Sequence, residues 1–592
     1  MGDGVPHVTP GKEVGRMRIK YLDKEEAGRE GFTAFLGLNR GPDTAAGEFS
    51  TMENLCSDGF PALMTRPKRL KCRSFTAPRG LYGHDGLLYV DGTSLYYNGA
   101  LVGEVEDSEK QFAAMGAYVL IFPDKVVFNT QDLTVKPMDH AFTTVADTVF
   151  DLTDREGTAI AHTAGSEPPA SPANGAYWLD TGGNVSALKQ YSAYSQSWVE
   201  VTQPYVRIGS PGIGTGFSPH DGVTISGAED GQFNGDFIVH NSGPDFLVVT
   251  GLIDQIRTQA APLTVKREAP DMDFFAALNN RVWGCSSHQH EIYACRLGDP
   301  FNWRAYEGLS TDSYAATVGS PGDFTGAAAY LGMVLFFKEQ TLHKLYGSEP
   351  ENFQLTELAQ RGVQKGCEKS LALVNEILYY KSPGGVMAYD GTLPIEVGRA
   401  LGPGPYTGAA AGSFGSKYYL SMADGSGACH LFVYDTLRRL WHREDSAKVL
   451  CFAALGTDLY FLRGDDSTLC ALTRGESVFL FPDAAAEGYI PWMAETVDIT
   501  AEAPEFHYTG RVGLRMSLSP GAAVSVSVCY DNAGDWQTLF ETSAQGEKRV
   551  LSVPVIPRRC ESFRLRIGGM GTVRLHGLSY VTYRGSEYTW PQ

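Results

Sequence analysis

Two histidines and one acidic turn come nearest to the spacing of a metal site. His288 and His290 lie two residues apart on a predicted strand, so their side chains would point to one face. The sequence positions no third ligand, which a zinc site requires. Asp531, Asn532 and Asp535 resemble part of a calcium loop, but the glycine and the glutamate of an EF-hand are absent at the required spacing. We therefore expect a polar strand face, a β-turn and no bound metal.

Signatures of catalytic nucleophiles and phosphate loops are missing. The sequence contains no GxSxG, Walker, HExxH or Rossmann glycine pattern in the required context. The glycine-rich segment Gly212–Gly216 precedes Pro219 rather than a helix, which predicts a plain loop. Asp124, Asp390 and Asp435 fall near strand ends, where a glycosidase could place its carboxylate pair, but nothing separates them from ordinary turn aspartates. We therefore predict no enzyme, no catalytic residue and no cofactor.

Aromatic residues concentrate in one short segment. Tyr177, Trp178, Tyr191 and Trp198 lie on three short strands predicted between residues 175 and 201. Such rings can stack on sugars or contact a protein partner, and in a small β-domain they also form the core. Both interpretations stay open, and these four residues are the only contact site that the sequence predicts.

A strand–turn–strand unit recurs along much of the chain. In its first copy, three short strands between residues 86 and 102 are joined by Asp91-Gly92 and Asn98-Gly99, pairs that suit type I′ turns. The spacing of about 35–45 residues is the period of propeller blades. Later copies begin at Met115, Asn280, Tyr330, Asn375, Ser416 and Thr457. We predict a β-propeller of about seven blades; a β-sandwich or unrelated hairpins are the alternatives.

The interruptions of this repeat predict the domain organisation of an all-β protein. The repeat breaks near residue 140, where a Pro- and Ser-rich stretch and the aromatic strands follow, and it stops near 475. Beyond that point, long strands alternate apolar and polar residues, as in a sandwich with one buried face. We predict an N-terminal arm and lead-in strand (1–75), first blades (76–139), an inserted β-domain or domains (140–270), remaining blades (271–475) and a C-terminal β-sandwich-like domain (476–592).

Charge and composition restrict the partners. The 592 residues include 49 Lys and Arg against 68 Asp and Glu, a net charge of −19. An acidic chain lacks the clustered cations that hold DNA phosphates, although DNA could slide along it without sticking. No apolar run is long enough to span a bilayer, and Met1–Pro6 lacks the features of a secretory signal. The ten cysteines form no CxxC pair and are predicted to be reduced core residues.

Several segments resemble the propeller proteins of tailed-phage virions. The most specific match combines Asn280–Gly284 with Ile292–Trp303 and resembles a blade of structural proteins encoded in phage tail modules. The stretch Leu36–Arg69 resembles the lead-in to the first blade, with an Asn-Leu step, a Pro-containing turn and an Arg-rich segment. The match continues through Gly332–Glu339 and Lys381–Val386 and is only loose in the C-terminal region.

The resemblance implies a structural role in the virion tail or head–tail connector. The closest architectural comparison is the tail nozzle, or packaged-DNA stabilisation protein, of short-tailed phages, which forms a hexameric ring beneath the portal and adaptor. This implies assembly in the host cytoplasm, a role in genome ejection, and contacts with copies of itself and with other tail or connector proteins. DNA would pass through the lumen without specific binding. The alternative is a propeller that binds or cleaves carbohydrate at the host surface.

Overall fold

The described part of the chain, residues 26–474, 480–500, 506–543 and 548–584 of the computed structural model, consists of strands, turns and short 3-10 segments. No α-helix occurs in these ranges, which confirms the prediction of an all-β fold. The cause is local, because short apolar and aromatic runs between Gly, Asn and Asp turns favour strands. The 3-10 segments are Gly231–Phe233, Pro350–Asn352, Glu368–Ser370 and Arg399–Leu401.

The chain divides into two compact units that are each assembled from distant segments. Unit 1 takes Met1–Arg66, Leu440–Glu444 and Gly488–Gln592, and unit 2 takes Pro67–Arg439 and Asp445–Glu487. The acidic charge is concentrated in unit 2, whose sequence has 30 Lys and Arg against 47 Asp and Glu, a net −17. The sequence of unit 1 has 19 Lys and Arg against 21 Asp and Glu, a net charge of −2.

Unit 2 contains seven antiparallel sheets, named I to VII here, whose strands mostly follow one another in the sequence. Sheet I comprises Pro78–Gly83, Leu87–Asp91, Ser94–Tyr97 and Ala100–Glu104. Sheet II comprises Gln111–Met115, Tyr118–Phe122, Val126–Asn129 and Val135–Pro137. Sheet III comprises Phe274–Leu278, Arg281–Ser286, Glu291–Ala294 and Tyr314–Thr317. Sheet IV comprises Gly326–Tyr330, Met333–Phe337, Thr341–Tyr346 and Gln354–Ala359.

The remaining sheets continue this pattern toward the end of unit 2. Sheet V comprises Ala372–Val374, Ile377–Ser382, Gly385–Tyr389 and Ile395–Glu396. Sheet VI comprises Thr407–Phe414, Lys417–Ala423 and Cys429–Asp435, and the strand Leu440–Asp445 follows at the boundary of the units. Sheet VII comprises Val449–Leu455, Asp458–Arg463, Thr468–Leu472, Leu70–Ser74 and Ala485–Ala486.

Tight turns join successive strands, and their backbone angles follow the residue types. Asn98 and Gly99 have φ of 50° and 90°, as a type I′ turn requires. At Asp91-Gly92 only Gly92 has a positive φ, so the prediction of a type I′ turn is wrong there. Asp91 is still paired with Ser94 in the sheet, so the two central residues of this turn are Gly92 and Thr93.

Apolar side chains fill the spaces between successive sheets, and the seventh sheet packs on the first. Tyr82 of sheet I stacks on Phe112 of sheet II at 5.5 Å, and Tyr330 of sheet IV lies 5.7 Å from Tyr389 of sheet V. The first strands of sheets II and III, III and IV, V and VI, VI and VII, and VII and I are in contact. Between VII and I lies one buried cluster: Phe75, Leu81, Leu87, Tyr89, Ala453, Tyr460, Leu462, Leu469 and Ala471. The packing order is therefore cyclic.

The strand Leu70–Ser74 completes sheet VII although it precedes sheet I in the sequence. It pairs antiparallel with Thr468–Leu472, with Ser74 opposite Thr468. Arg69, only 1% exposed, donates from Nη1 to Asp445 Oδ2 at 2.6 Å, and its backbone N–H donates to Glu487 at 3.0 Å. Leu70–Ser74 thus joins the last sheet, and it covers an edge of Thr468–Leu472 that would otherwise be unpaired.

The insertion after sheet II forms three sheets of its own. The first comprises His140–Thr143, Thr264–Arg267, Gly222–Ser226 and Gly235–Ile238. The second comprises Asn241–Gly243, Phe246–Thr250, Tyr205–Gly209, Thr148–Thr153 and Arg257–Gln259. The third comprises His162–Gly165, Tyr177–Asp180, Ala187–Ser192 and Ser197–Glu200 and is called the aromatic sheet below. Their shared core includes Val206, Ile208, Leu247, Val249 and Val265.

The insertion is anchored to the long loop that joins the last two strands of sheet III. Buried Asn302 donates to the carbonyl of His220 at 2.5 Å and accepts from Gly222 N at 3.3 Å. Within the insertion, Arg267 donates to Asp221 Oδ2 at 2.6 Å and so fixes the same turn. Gly222 approaches the carbonyl of Arg304 so closely that a Cβ there would lie 2.2 Å from the oxygen. The joint therefore depends on a glycine and on buried hydrogen bonds.

A histidine pair reinforces this joint. His220 Nδ1 lies 2.7 Å from Glu307 Oε2, and His240 Nδ1 lies 3.7 Å from the other carboxylate oxygen. Burial lowers the pKa of His240, so that imidazole is neutral at pH 7. The carboxylate of Glu307 therefore holds the insertion chiefly through His220.

Unit 1 is built from two sheets that share a core. Sheet A comprises Leu55–Cys56, Leu63–Thr65, Val573–Arg584, His507–Leu518, Lys548–Pro554 and Glu26–Phe32. Sheet B comprises Gly37–Leu38, Glu48–Glu53, Pro491–Thr496, Ser562–Met570, Ala523–Tyr530, Gln537–Ser543 and Ile499–Thr500. Phe563 of sheet B and Tyr580 of sheet A meet at 5.7 Å with their rings at 86°. The alternating burial of His507–Leu518 matches the predicted one-sided strand.

The N-terminal segment is part of these sheets within the described residues, and not a separate arm. Glu26–Phe32 pairs with Val573–Arg584, and Glu48–Glu53 pairs with Pro491–Thr496. The sequence placed residues 1–75 outside the C-terminal sandwich because strand pairing at a separation of several hundred residues leaves no local signal. Residues 1–25 lie outside the described part of the chain.

Two smaller expectations are also settled by the strands. His288 and His290 lie on the turn before Glu291–Ala294 and not on the strand, and His290 has a φ of 55°. Asp531 and Asn532 form the expected turn, in which Asp531 accepts from the N–H groups of Glu561 and Ser562. The ten cysteines are free, and seven of them are buried.

We predict that Arg69→Ala lowers the stability of unit 2 by about 2–3 kcal/mol, because it leaves the carboxylate of Asp445 without this partner. Lys71→Ala, at an exposed position of the strand that follows Arg69, should cost less than about 0.5 kcal/mol. Thermal unfolding followed by circular dichroism compares the two variants. Equal melting temperatures would show that the closing strand does not depend on the buried pair.

Candidate functional site

The aromatic sheet presents one packed face and one outward face. Side chains alternate along each strand, and the register places Trp178 opposite Lys189 and Tyr191 opposite Trp198. These four residues therefore share one face. Leu188 lies on the other face, in the buried core of the insertion. The outward face is thus the part of this sheet that can meet a partner.

The rings of the outward face form a connected edge-to-face group. Trp198 lies 5.5 Å from Trp178 and 5.4 Å from Tyr191, with interplanar angles of 64° and 60°. Trp178 is 5% exposed and its indole N–H donates to the carbonyl of Gly165 at 3.0 Å, so it supports the group from below. Trp198 and Tyr191 are half-buried, and Tyr194 on the connecting turn is fully exposed. The rings of Trp198 and Tyr191 are therefore not coplanar.

Polar side chains accompany the rings. Lys189 Nζ lies 5.1 Å from the centroid of the Trp178 ring and donates to Asp180 Oδ2 at 2.8 Å. That hydrogen bond holds the pKa of the Asp180 carboxyl below its ordinary value, so the carboxylate stays charged at neutral pH. Glu200, opposite Lys189 in the register, is exposed. The face therefore combines ring surfaces with at least one uncompensated negative charge.

The structure brings together three of the four residues predicted from the sequence. Trp178, Tyr191 and Trp198 share the outward face, whereas Tyr177 lies on the opposite face and packs against the core of the insertion. Composition alone could not separate Tyr177 from Trp178, because that requires the strand register. Counting alternate residues from Trp178 would have identified Asp180, and the cross-strand partners Lys189 and Glu200 follow once the hairpin is known.

The described residues offer little else that resembles a chemical site. They contain no group of three or more His, Cys, Asp or Glu side chains that could hold a metal ion. In the same ranges, no helix has the length and apolar character needed to cross a membrane. The outward face of the aromatic sheet is the candidate site, and its rings and charged groups suit contact with a partner.

Comparison with known proteins gives structural likeness only. No protein-family model and no curated protein matches the chain. Among solved structures, BamB from Moraxella catarrhalis is 11% identical, with 62% of this chain and 95% of that chain covered and a TM-score of 0.26. An exo-β-1,3-galactanase from Phanerochaete chrysosporium is 10% identical, with 52% and 94% covered and a TM-score of 0.22. An engineered GH43 glycoside hydrolase is 8% identical, with 52% and 96% covered and a TM-score of 0.19.

The prediction that the chain is not an enzyme is corrected by this comparison. Two of these three similar structures are glycoside hydrolases, whereas the sequence predicted no enzyme. Glycosidases act through two carboxylates whose positions in the fold, not in a short sequence pattern, define the site. At TM-scores of 0.19–0.26 the likeness transfers neither an activity nor catalytic residues to this chain.

We predict that the two tryptophans of the candidate site differ in what they stabilise. Trp178→Ala removes a buried ring and should lower the stability of the insertion by about 3 kcal/mol or more. Trp198→Ala removes a half-buried ring and should cost about 1 kcal/mol. Limited proteolysis of the insertion and thermal unfolding measure both effects. Equal losses in the two variants would mean that Trp198 belongs to the core and does not form a contact surface.

Proposed function

We propose that sheets I to VII are the blades of one seven-bladed propeller and that the chain is a structural subunit of a tailed-phage virion. In this proposal it is a ring-forming subunit of the nozzle type, located in the tail or the head–tail connector. Its partners are further copies of itself and neighbouring tail proteins, and DNA passes through the ring without specific binding. The cyclic packing of the sheets and their closure by Leu70–Ser74 support the propeller.

The observation that carries the virion proposal is the position of the segment with the most specific resemblance. Its residues form the joint between sheet III and the insertion. Asn302 anchors the turn at His220, and Trp303, 1% exposed, packs between sheets II and III. Arg281 donates to the carbonyls of Cys295 and Asp312 and so fixes the start of the same loop.

These contacts support a role that requires rigidity. A subunit of a virion ring has to keep its projecting domain in one orientation while neighbours bind and while DNA passes. A buried polar group that is held by hydrogen bonds, as Asn302 is, fixes one arrangement more strictly than apolar packing does, because each lost bond costs a desolvation penalty. The segment with the most specific resemblance, Asn280–Trp303, thus helps to fix the orientation of the insertion.

A second candidate function is binding of a carbohydrate by the aromatic sheet. Trp198, Tyr191 and Tyr194 present ring surfaces beside charged groups, a combination that suits the apolar faces and hydroxyls of a sugar. Titration calorimetry of the full chain with bacterial wall polysaccharide tests this function. Binding that disappears in Trp198→Ala would favour it, and the absence of heat with several polysaccharides would reject it.

Electron microscopy of the purified full chain in negative stain, together with native mass spectrometry, tests the virion proposal. We expect closed rings of a single copy number. Particles that remain monomeric at every concentration would contradict a ring-forming subunit, and turnover of a polysaccharide would show that structure is not the full account of the protein.

We also predict that Asn302→Ala loosens the joint without unfolding the sheets. Two buried hydrogen bonds are lost, at a cost of about 2–3 kcal/mol. Hydrogen exchange should accelerate in residues 218–223, while the strands of sheets IV and V keep their protection. Gln255→Ala, an exposed substitution within the insertion, serves as the control. Unchanged exchange at 218–223 would mean that the joint is held by other contacts.

A further inference from the structure

The outer face of sheet A in unit 1 carries four arginines, and in the described pairing one acidic residue, Glu26, lies opposite Tyr583 at the end of the same face. Arg29 and Arg511 both lie opposite Val581, Arg515 lies opposite Gly577, and Arg574 lies opposite Ser517, so one face presents all four. All four are exposed. We name this surface the arginine face.

Within the described residues, no ion pair neutralises the arginine face. None of its four guanidinium groups lies within ion-pair distance of a carboxylate among the described residues. Arg511 donates to the hydroxyl of Ser552 at 2.5 Å, and Arg574 donates to the carbonyl of Gly59 at 3.2 Å. These bonds orient the cations without neutralising them.

The residues between the arginines make this surface flat. Gly31, Ser579, Gly513 and Ser552 form one row across four strands, with Arg29 and Arg511 on the neighbouring row. Arg511 and Arg515 are four residues apart on one strand, which places them about 13 Å from each other. A partner can therefore approach the backbone closely while the arginines reach it from the rows on either side.

Another part of the same chain has the complementary chemistry. The insertion, residues 140–267, has 6 Lys and Arg against 13 Asp and Glu, a net −7 within the acidic unit 2. Its aromatic sheet combines the exposed Glu200 with the rings of Trp198, Tyr191 and Tyr194, and Glu167 is exposed in the loop that follows His162–Gly165. Arginine pairs with carboxylates and also stacks on aromatic rings, so this face matches it in both respects.

We propose that the arginine face of one copy binds the outward face of the aromatic sheet of a second copy. The contact is head to tail, since the two surfaces differ, and repeated contacts of that kind close into rings. This inference rests on the proposed ring-forming function and names the surfaces that would form the ring. A protein partner is favoured over DNA because the net charge of −17 on unit 2 repels a polyanion at long range.

Charge reversal in the full chain tests the contact. Sedimentation velocity across a range of salt concentrations compares the wild type with Arg511→Glu/Arg515→Glu, and we expect the association constant to fall about tenfold or more in the variant. Lys136→Glu/Arg361→Glu makes the same charge change at exposed positions of unit 2 and should leave association unchanged. Circular dichroism and melting temperature verify that each variant is folded.

A compensating variant tests whether the aromatic sheet of a second copy is what binds the arginine face. Glu167→Arg/Glu200→Arg alone should also weaken association, and the four changes combined in one chain should restore it. Lost association without restoration would overturn the pairing with the aromatic sheet. Wild-type association in Arg511→Glu/Arg515→Glu would overturn the arginine face while leaving the ring proposal intact. A wild type that is monomeric throughout, or one that binds DNA through these arginines, would overturn the inference, and strict monomers would overturn the ring proposal as well.

Discussion

Every strand in a sheet has two edges, and an edge that is neither paired nor covered invites association with another chain. In unit 2 this constraint is met by bringing Leu70–Ser74 against the last sheet. The apolar cluster between sheets VII and I depends on that pairing, because it positions Phe75 beside Tyr89. The other sheets then pack in one cyclic order.

The insertion is held in place by contacts besides its two covalent connections. The insertion is connected to sheet II at its start and to sheet III at its end. These two connections alone would let it rotate. The turn at His220–Gly222, held by Asn302 and by the Arg267–Asp221 pair, supplies a third point of attachment. Three points define an orientation. The orientation of the aromatic sheet relative to sheet III therefore follows from a few buried polar groups.

The sequence predicted the class of fold and the recurring strands because both are local. Apolar and aromatic runs ended by Gly, Asn or Asp identify Leu87–Asp91 and its repeats without knowledge of the partners. What could not be predicted was long-range pairing: Glu26–Phe32 with Val573–Arg584, or Tyr177 and Trp178 on opposite faces. Register decides those questions, and a shift of one residue reverses every side chain. The aromatic residues of the candidate site were predicted from composition. Its polar residues could be identified only from the strand register.

Closure by Leu70–Ser74 also has a consequence for synthesis. The strand emerges from the ribosome early, whereas its partner Thr468–Leu472 follows about 400 residues later. Bringing the ends of so long a loop together costs about 5 kcal/mol of chain entropy. Sheets I to VI can form during translation, but the cycle can close only near its end. Until then Leu70–Ser74 stays exposed to other nascent chains. Exchange of this strand between copies would therefore arise on crowded polysomes.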